Sequence, residues 1–353
     1  MRRCRRAFPP LVLVVVAVAA APSPAAPVFY GRLDMSLTWS DSGRAPHEPV
    51  AGTSLENNFT RVGLRGERPL GDAWSLFYRI EAGVQAEDQA AAKTPFTSRP
   101  TYVGIAGPWG RLAAGRIDPV FKMTKGFVDA FDNYATKHDR LLPGDKRHGD
   151  SLEYKTPRWG RLQAGASYLL ADEYYPVGDP RRENPNLQLA ATWGDKRFRS
   201  GPVYAAVAWN DGIEDFRGTR LVAMAAVGRW TVGGLAQWTE LLEPGAPDLA
   251  ARDGFGAFAS LACRLGAWRL KAQAGRDDSG TGLIARRAYA DPAAVIAAVP
   301  TVTGFALGWE RSFGPDFRLH GEWGRFTVDG VDGYDDTVVS LGLRYDFEMT
   351  APE

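Results

Sequence analysis

The stretch that decides the fold reads TYVGIAGPWGRLAAGR and covers residues 101–116. Two runs of alternating character, 102–106 and 111–116, flank a tight turn at 107–110, a pattern that predicts a β-hairpin. A loop of about thirty residues, 118–149, follows this hairpin. It carries four aspartates, Asp129, Asp132, Asp139 and Asp145. Loops this long between short strands are usually functional or disordered, and we expect this one to fold inward and narrow the space that the strands enclose.

The first 27 residues have the three parts of a secretory signal. Four arginines lie near the start, an apolar run covers residues 11–21, and small residues cover 23–26. The apolar run is too short to span a membrane as a helix. We therefore expect a signal peptide at 1–25, cut between about residues 21 and 27. Cys263 is then the only cysteine of the mature chain, which excludes an internal disulfide and a cysteine zinc site.

The charge balance and hydropathy exclude two classes of protein. The predicted signal holds four of the 42 basic residues, so 38 remain against 41 acidic ones, and bulk charge argues against nucleic-acid binding. Beyond the signal no run of 18 apolar residues occurs, which argues against a helical membrane protein. A membrane β-barrel stays possible, because only every second residue of its strands faces lipid.

From Val28 onward the chain consists of segments of about ten residues that alternate in polarity and are separated by turn signals. In one segment Trp268, Leu270, Ala272 and Ala274 alternate with Arg269, Lys271, Gln273 and Gly275. The same pattern occurs at 161–168 and 74–81. Charged and amide side chains on the inner face of a sheet indicate a wet interior, which is typical of a transmembrane barrel.

The connections alternate between seven short turns and eight longer polar loops, the first of them at 40–58, and together they join sixteen strands. Tryptophans recur beside the short turns, at Trp74, Trp109, Trp159, Trp230 and Trp268. Indole rings at that level are typical of a membrane–water boundary. The predicted fold class is all-β: a 16-stranded antiparallel transmembrane β-barrel with an inward-folded constriction loop at 118–149.

Several motifs in a fixed order resemble those of one family. They are TRVGLRGE at 60–67, RIE at 79–81, the segment 99–104, GR at 115–116, DSLEY at 150–154 and LGLRYDF at 341–347. Together they resemble the Gram-negative general porins, the sixteen-stranded trimeric porins of the outer membrane, especially the betaproteobacterial and neisserial branch. The resemblance covers the whole mature chain and implies a barrel at 28–347, followed here by a tail at 348–353.

The resemblance also implies a function and partners. It implies a homotrimer, surrounded by outer-membrane lipid and lipopolysaccharide, in which each subunit has its own water-filled channel for passive diffusion of small hydrophilic solutes and ions. It implies no enzymatic activity, no cofactor and no nucleic-acid partner. The preference for cations or anions stays open, because the mature charge favours cations whereas wall arginines favour anions.

In this family a ladder of wall arginines lines the constriction. Carried over by position, Arg61 and Arg99 match the first two members of the ladder, and Arg147 the third. Arg65 and Arg79 share the lumen-facing parity of Arg61 and extend the ladder.

The third loop of this family presents carboxylates opposite the arginines. Asp129 and Asp132 are the expected carboxylates, with Asp118 at the base of the loop. Arg116 falls on the outer face with Leu112, where the family uses an arginine to receive a loop from the neighbouring subunit. We therefore expect Arg116 to be a trimer contact.

Three other functions remain open on sequence grounds. A channel specific for a sugar, a phosphate or a dicarboxylate could use the aromatic loop residues Phe121, Phe127, Phe131 and Tyr134 as a slide, although the same residues could anchor the loop to the wall. A barrel enzyme such as a lipase would need a base, but His148 and Ser151 are spaced to face opposite sides of one strand, and no His and carboxylate stand at a metal-ligand spacing. A purely structural or adhesive surface protein would give the inward arginines no purpose.

Overall fold

The computed structural model describes residues 26–85, 94–242 and 252–350. The predicted signal peptide and residues 351–353 lie outside this range. The described part is mainly β-structure, and its strands and helices have the following bounds. They are β1 (Val28–Ser40), β2 (Gly52–Asn57), β3 (Arg61–Pro69), β4 (Ser75–Val84), β5 (Phe96–Gly107), β6 (Gly110–Ile117), α1 (Val120–Thr124), β7 (His148–Lys155), β8 (Leu162–Leu169), α2 (Ala171–Tyr174), β9 (Leu187–Gly194), β10 (Val203–Asp211), β11 (Phe216–Val227), β12 (Trp230–Leu241), β13 (Asp253–Leu265), β14 (Trp268–Asp277), α3 (Leu283–Ala290), β15 (Ile296–Phe313), β16 (Phe317–Val331) and β17 (Asp336–Thr350).

These strands form one antiparallel sheet that closes on itself, because β1 pairs with β17 from Val28–Thr350 to Ser40–Val338. Both β2 and β3 pair with β1, one after the other, so they act as a single strand of the barrel. The seventeen segments therefore make a closed 16-stranded barrel, and the predicted fold class is confirmed.

The double strand corrects the predicted first loop at 40–58. Residues 52–57 pair with β1, with Leu55 half exposed on the outside and Glu56 fully buried inside. The strand breaks only at residues 58–60, where Phe59 has a φ of 66°. At the other end of the chain, β17 continues through residues 348–350 of the predicted tail.

The alternation predicted from the sequence fixes which face of each strand is wet. In β14, Leu270 is 45% exposed on the outer surface, whereas Lys271 and Gln273 are 3% and 4% exposed inside. The strand β8 behaves likewise, with Leu162 outside and Ser167 buried inside. This arrangement places apolar side chains on the outside of the barrel and polar ones inside, as a lipid environment requires.

The connections at one end of the barrel are mostly short turns, and those at the other end are mostly longer loops, although the loops 212–215 and 332–335 have only four residues. We number the turns T1 to T7 and the loops L1 to L8 along the chain; T4 covers residues 195–202 and L3 covers 118–147. Tryptophans ring the turn end, and they include the pairs Trp74–Trp109 and Trp268–Trp309, with ring centroids 5.8 and 5.5 Å apart. Of these four, Trp309 is half-buried and the others are exposed. Among the described residues, no helix is long and apolar enough to cross a membrane.

The interior is not wet throughout, which differs from the uniform expectation. One buried apolar cluster joins inner-facing residues of β10–β13 and of the loop ends of β15–β17 to residues of L1, L3, L7 and L8. It includes Met224 and Phe258 of the wall, Leu142 of L3 and Ile284 of α3. We call this cluster the dry core. These wall residues are apolar because loops, and not water, cover them, so the open space is confined to the other side of the barrel.

Candidate functional site

The loop L3 lies inside the barrel and its aromatic residues attach it to the wall. Phe121 is fully buried and packs edge to face on Phe216, with ring centroids 5.5 Å apart. Tyr134 stacks on His320 at 4.2 Å. Phe131 is also fully buried and lies so close to Gly308 that a Cβ there would come within 2.4 Å of its ring.

Polar side chains of the wall bind the backbone of L3. Arg220, which is fully buried, donates hydrogen bonds to the carbonyl oxygens of Phe121 and Pro143, at 3.3 and 2.7 Å. Glu322 accepts from the N–H of Ala135 at 2.9 Å. Gln273 accepts from the N–H of Ala130 and donates to the carbonyl of Thr136, at 3.1 and 2.6 Å. The path of the loop is therefore fixed by buried hydrogen bonds, which cost much to leave unmade.

Beside L3 a polar cavity of about 630 Å³ remains open. The described residues that line it include ten arginines and eight carboxylates. Its wall comes from β1, β3–β5 and β14–β17, and L3 borders it through Phe127, Asp132 and Tyr134. The ring of Phe127 is 41% exposed, whereas the other three aromatic residues of the suggested slide are buried anchors. A row of exposed rings along L3 is therefore absent from the described residues.

Two of the predicted ladder arginines meet one carboxylate in this cavity. The guanidinium groups of Arg99 and Arg61 both lie against Glu81, in direct contact for Arg99 and at 3.7 Å for Arg61. Glu81 also accepts a hydrogen bond from the Tyr30 hydroxyl at 2.8 Å. A register irregularity between β4 and β5, at Ile80, brings Arg99 to this level.

The remaining predicted arginines also line the cavity. Arg65 and Arg79 lie over the ring of Tyr30, with guanidinium carbons 5.0 and 5.7 Å from its centroid. Arg147 forms an ion pair with Asp118 at 2.5 Å. Asp118 is thus placed at the base of L3 and also binds Lys122, at 2.9 Å. Burial alone would raise the pKa of Asp118, but these neighbouring cations outweigh it and hold the pKa at about 2.

The other carboxylates of L3 are bound chiefly by cations of the same loop. Asp129 borders the cavity but is only 4% exposed and accepts from His138 Nδ1 at 2.8 Å, so its carboxylate is bound within the loop. The ammonium group of Lys125 contacts Asp132 and Asp145 at 2.5 and 2.9 Å. Burial would lower the pKa of Lys125, but these carboxylates raise it above its ordinary value. Asp132 alone keeps a side chain that is about half exposed (48%).

A second group of arginines in the cavity was not predicted as part of the ladder. Arg32, Arg344 and Arg318 gather around Asp346 at 2.8, 2.7 and 3.5 Å. Glu310 is shared in the same way by Lys271, at 2.8 Å, and Arg269, at 3.9 Å. Their inward parity was visible in the sequence, but parity does not tell which strands meet across the closure of the barrel.

Arg116 and the histidine considered for catalysis lie elsewhere. Arg116 pairs in register with Thr101, on the outward parity of β6, and its Nε is buried without a hydrogen-bond acceptor among the described residues. The hydroxyl of Ser151 donates to the carbonyl oxygens of His148 and Gly149, at 3.3 and 2.9 Å, and not to the imidazole ring. Within the part of the chain that the structure describes, no group of three potential metal ligands is assembled.

Comparisons with known proteins agree with this architecture. The family model of Gram-negative porins matches residues 12–331. The major outer membrane protein P.IB of Neisseria meningitidis serogroup B is 24% identical over 170 residues, which are 45% of this chain and 49% of that protein. The match thus spans about half the length of this curated relative.

Two solved structures share the fold over most of the chain. An anion-selective porin from Comamonas acidovorans superposes with a TM-score of 0.65 at 18% identity, covering 91% of this chain and 99% of that one. The trimer form of OmpT from Vibrio cholerae gives 0.65 at 14% identity, covering 91% and 100%. With the closed barrel and its inward loop, the family match identifies this outer-membrane protein as a member of the Gram-negative porin family.

Proposed function

We propose that the protein forms a water-filled channel for the passive diffusion of small hydrophilic solutes and ions across the outer membrane. The observation that carries this proposal is the open polar cavity of about 630 Å³ beside L3, lined mainly by charged side chains. A narrow wet passage with fixed charges admits small polar solutes, whereas an apolar solute would have to displace ordered water. No bond is made or broken in this function.

The distribution of charge favours anions. Glu81 is shared by two arginines and Asp346 by three, so positive charge is left over on the wall. The carboxylates of Asp129 and Asp145 do not balance this excess, since Asp129 lies 3.9 Å from the Lys125 ammonium and Asp145 binds both Lys125 and Lys137. A field of one sign in a narrow polar passage concentrates ions of the opposite sign.

Single-channel recording in planar bilayers tests both parts of the proposal. With a KCl gradient across the bilayer, we expect discrete conductance steps and a reversal potential whose sign shows chloride to be more permeant than potassium. Arg99→Gln should reduce this preference, whereas Arg325→Gln should not, because Arg325 lies near the loop rim, paired with Asp41 and Asp335. Absence of steps would refute the channel, and a cation-selective reversal potential would refute the charge argument.

We also propose that the channel is a homotrimer in which Arg116 contacts a neighbouring subunit. The OmpT structure of similar fold is a trimer form, and the outward Arg116 keeps a buried donor without an acceptor in its own described chain. Arg116→Ala should lower the temperature at which the oligomer dissociates on a mild detergent gel. Arg217→Ala is the matched control, because that half-exposed arginine on the far strand β11 is already paired with Glu240 and Asp211.

A channel specific for one solute is the second candidate that the sequence left open. Such a channel would use the aromatic residues of L3 as a slide, but among the four suggested residues only Phe127 has an exposed ring. Diffusive passage is therefore the better supported mode. Saturable block of the chloride current by one sugar, phosphate or dicarboxylate, with no block by the other two, would reverse this preference.

A further inference from the structure

The turn T4 is unlike the other six turns, because it is the longest of them and folds into the barrel. It has eight residues, 195–202, whereas the turn before β6 has two residues and the turn before β16 has three. Phe198, which has a φ of 59°, packs against the dry core. The N–H of Arg197 binds the carboxylate of Asp195 at 3.0 Å, and Arg158 donates to the carbonyl of Gly194 at 3.3 Å. These contacts attach the turn to the dry core and to the neighbouring turn.

This turn meets the underside of L3. A Cβ added at Gly126 of L3 would lie 3.5 Å from the Cβ of Lys196, and the Lys196 ammonium lies 5.9 Å from the centroid of the Phe127 ring. Lys196 lines a cavity of about 340 Å³ whose other charged lining residues are cations, such as Arg99 and Arg147, and four carboxylates of L3: Asp118, Asp132, Asp139 and Asp145. The next residue, Arg197, lines the main cavity. The two cations thus stand on the turn side of the constriction, which is the periplasmic side in a porin.

Neither cation is neutralised by a neighbour. Among the described residues, no carboxylate lies within 4 Å of the Lys196 ammonium or the Arg197 guanidinium, whereas Arg199 of the same turn is paired with Asp195 at 3.6 Å. Asp132, which attracts Lys196 from a greater distance, is already bound to Lys125. Burial, and then the proximity of Lys155, lower the pKa of Lys196. An additional negative charge at this position would therefore be stabilised.

We propose that Lys196 and Arg197 form an anion-binding station at the periplasmic mouth of the channel, for small multivalent oxyanions and carboxylates. Such an anion passes the arginines around Glu81 and is then held by the two unpaired cations before it leaves. A station of this kind binds inorganic phosphate more strongly than chloride, because two neighbouring cations attract a divalent anion more strongly than a monovalent one. This inference rests on the proposed channel function.

The test uses the assembled protein in planar bilayers, with inorganic phosphate as the probe. In wild-type channels, phosphate added on the turn side should reduce the chloride current, and it should do so at lower concentration than phosphate added on the loop side. The variant Lys196→Gln/Arg197→Gln should weaken this block and lower the anion-to-cation permeability ratio by about twofold for each charge removed. Arg199→Gln changes the same turn by one charge, but its guanidinium is exposed and paired, so it should leave both readings unchanged.

A thiol variant provides a second reading that does not depend on phosphate. Arg197→Cys introduces an accessible thiol, whereas the native Cys263 is buried and wild-type channels serve as its control. A cationic methanethiosulfonate reagent should restore the anion preference of this variant, and an anionic one should lower it further. If folded channels of the double variant keep the wild-type phosphate block, and both reagents leave the Arg197→Cys current unchanged, the station is refuted while the channel function stands. A wild-type protein without conductance would instead refute the proposed function itself.

Discussion

Replacing Arg220 with methionine tests whether the wall holds L3 in place. The side chain is fully buried, donates to the carbonyls of Phe121 and Pro143, and lies 4.2 Å from the centroid of the Phe121 ring. Methionine keeps the bulk and the ring contact but removes both of these bonds, together with the bond from the Arg220 Nε to Gln237 Oε1 at 2.7 Å. A hydrogen bond from a charged donor contributes about 1.5–3 kcal/mol, so two contribute about 3–6 kcal/mol.

The net loss is smaller than this sum for two reasons. Both carbonyls keep a second donor, the hydroxyl of Thr124 for Phe121 and the amide of Gln237 for Pro143. The variant also no longer has to bury a guanidinium group. We expect the docked position of L3 to lose about 2–3 kcal/mol of its stability, which makes excursions of the loop roughly 30- to 150-fold more frequent.

The assay is the noise of the open channel in planar bilayers. Arg220→Met should show brief partial closures, or steps of unequal size, at voltages where the wild type is quiet. Arg217→Met is the matched control: it lies on the same strand, but its guanidinium is half exposed and bonded to Glu240 at the rim. Quiet, uniform steps from correctly folded Arg220→Met channels would refute the reasoning that this arginine anchors L3.

Three further outcomes are expected. Glu81→Gln should raise the chloride preference, because it frees two arginines; an unchanged reversal potential would contradict the charge argument. In the folded protein the Asp118 carboxylate has a pKa of about 2, because the effect of burial is outweighed by Lys122. Its contribution to the stability of the fold is therefore complete above the unfolded pKa of about 4 and is lost as the pH falls through the folded pKa. Current noise of wild-type channels should therefore appear only below about pH 3, whereas Asp118→Asn channels should be noisy at neutral pH. Wild-type noise that begins at pH 5 would contradict this prediction. Gly282→Ala should lower the temperature of heat unfolding, because its Cβ would come within 2.0 Å of a carbonyl oxygen of L3 at an overpacking cost of about 1–3 kcal/mol, whereas Gly149→Ala, with open space around it, should not.

The barrel could be predicted from the sequence because a strand alternates with a period of two. Once Leu270 is assigned to lipid, Lys271 and Gln273 must face the interior, and they do. The tryptophans beside the turns and the length of L3 add the orientation of the barrel and its inward loop. Each of these signals is local, so each is readable from a single segment.

Contacts between distant segments could not be predicted in this way. Arg32 and Arg344 meet Asp346 only because β1 closes on β17, and no local pattern gives that neighbourhood. Asp129 was expected opposite the arginines and does border the cavity, but no sequence pattern predicts that its carboxylate binds His138 nine residues later in its own loop. The break between β2 and β3 at Phe59, where φ is positive, could not be predicted either, because the residue there is not a glycine.

The dry core has a consequence for how this chain tolerates change. On that side of the barrel the space around Leu142 and Phe258 is already filled, so the effect of a substitution depends on the change in side-chain volume. Losing a large side chain there lowers the stability of the fold by about 2–5 kcal/mol. On the opposite side, around Glu81, water accommodates a change in side-chain size, so the effect of a substitution depends on the sign of the charge that it adds or removes. Mutations in this closed sheet therefore act in two ways: through packing, as in a soluble protein, along one arc of its circumference, and through charge, as in an ion filter, along the other.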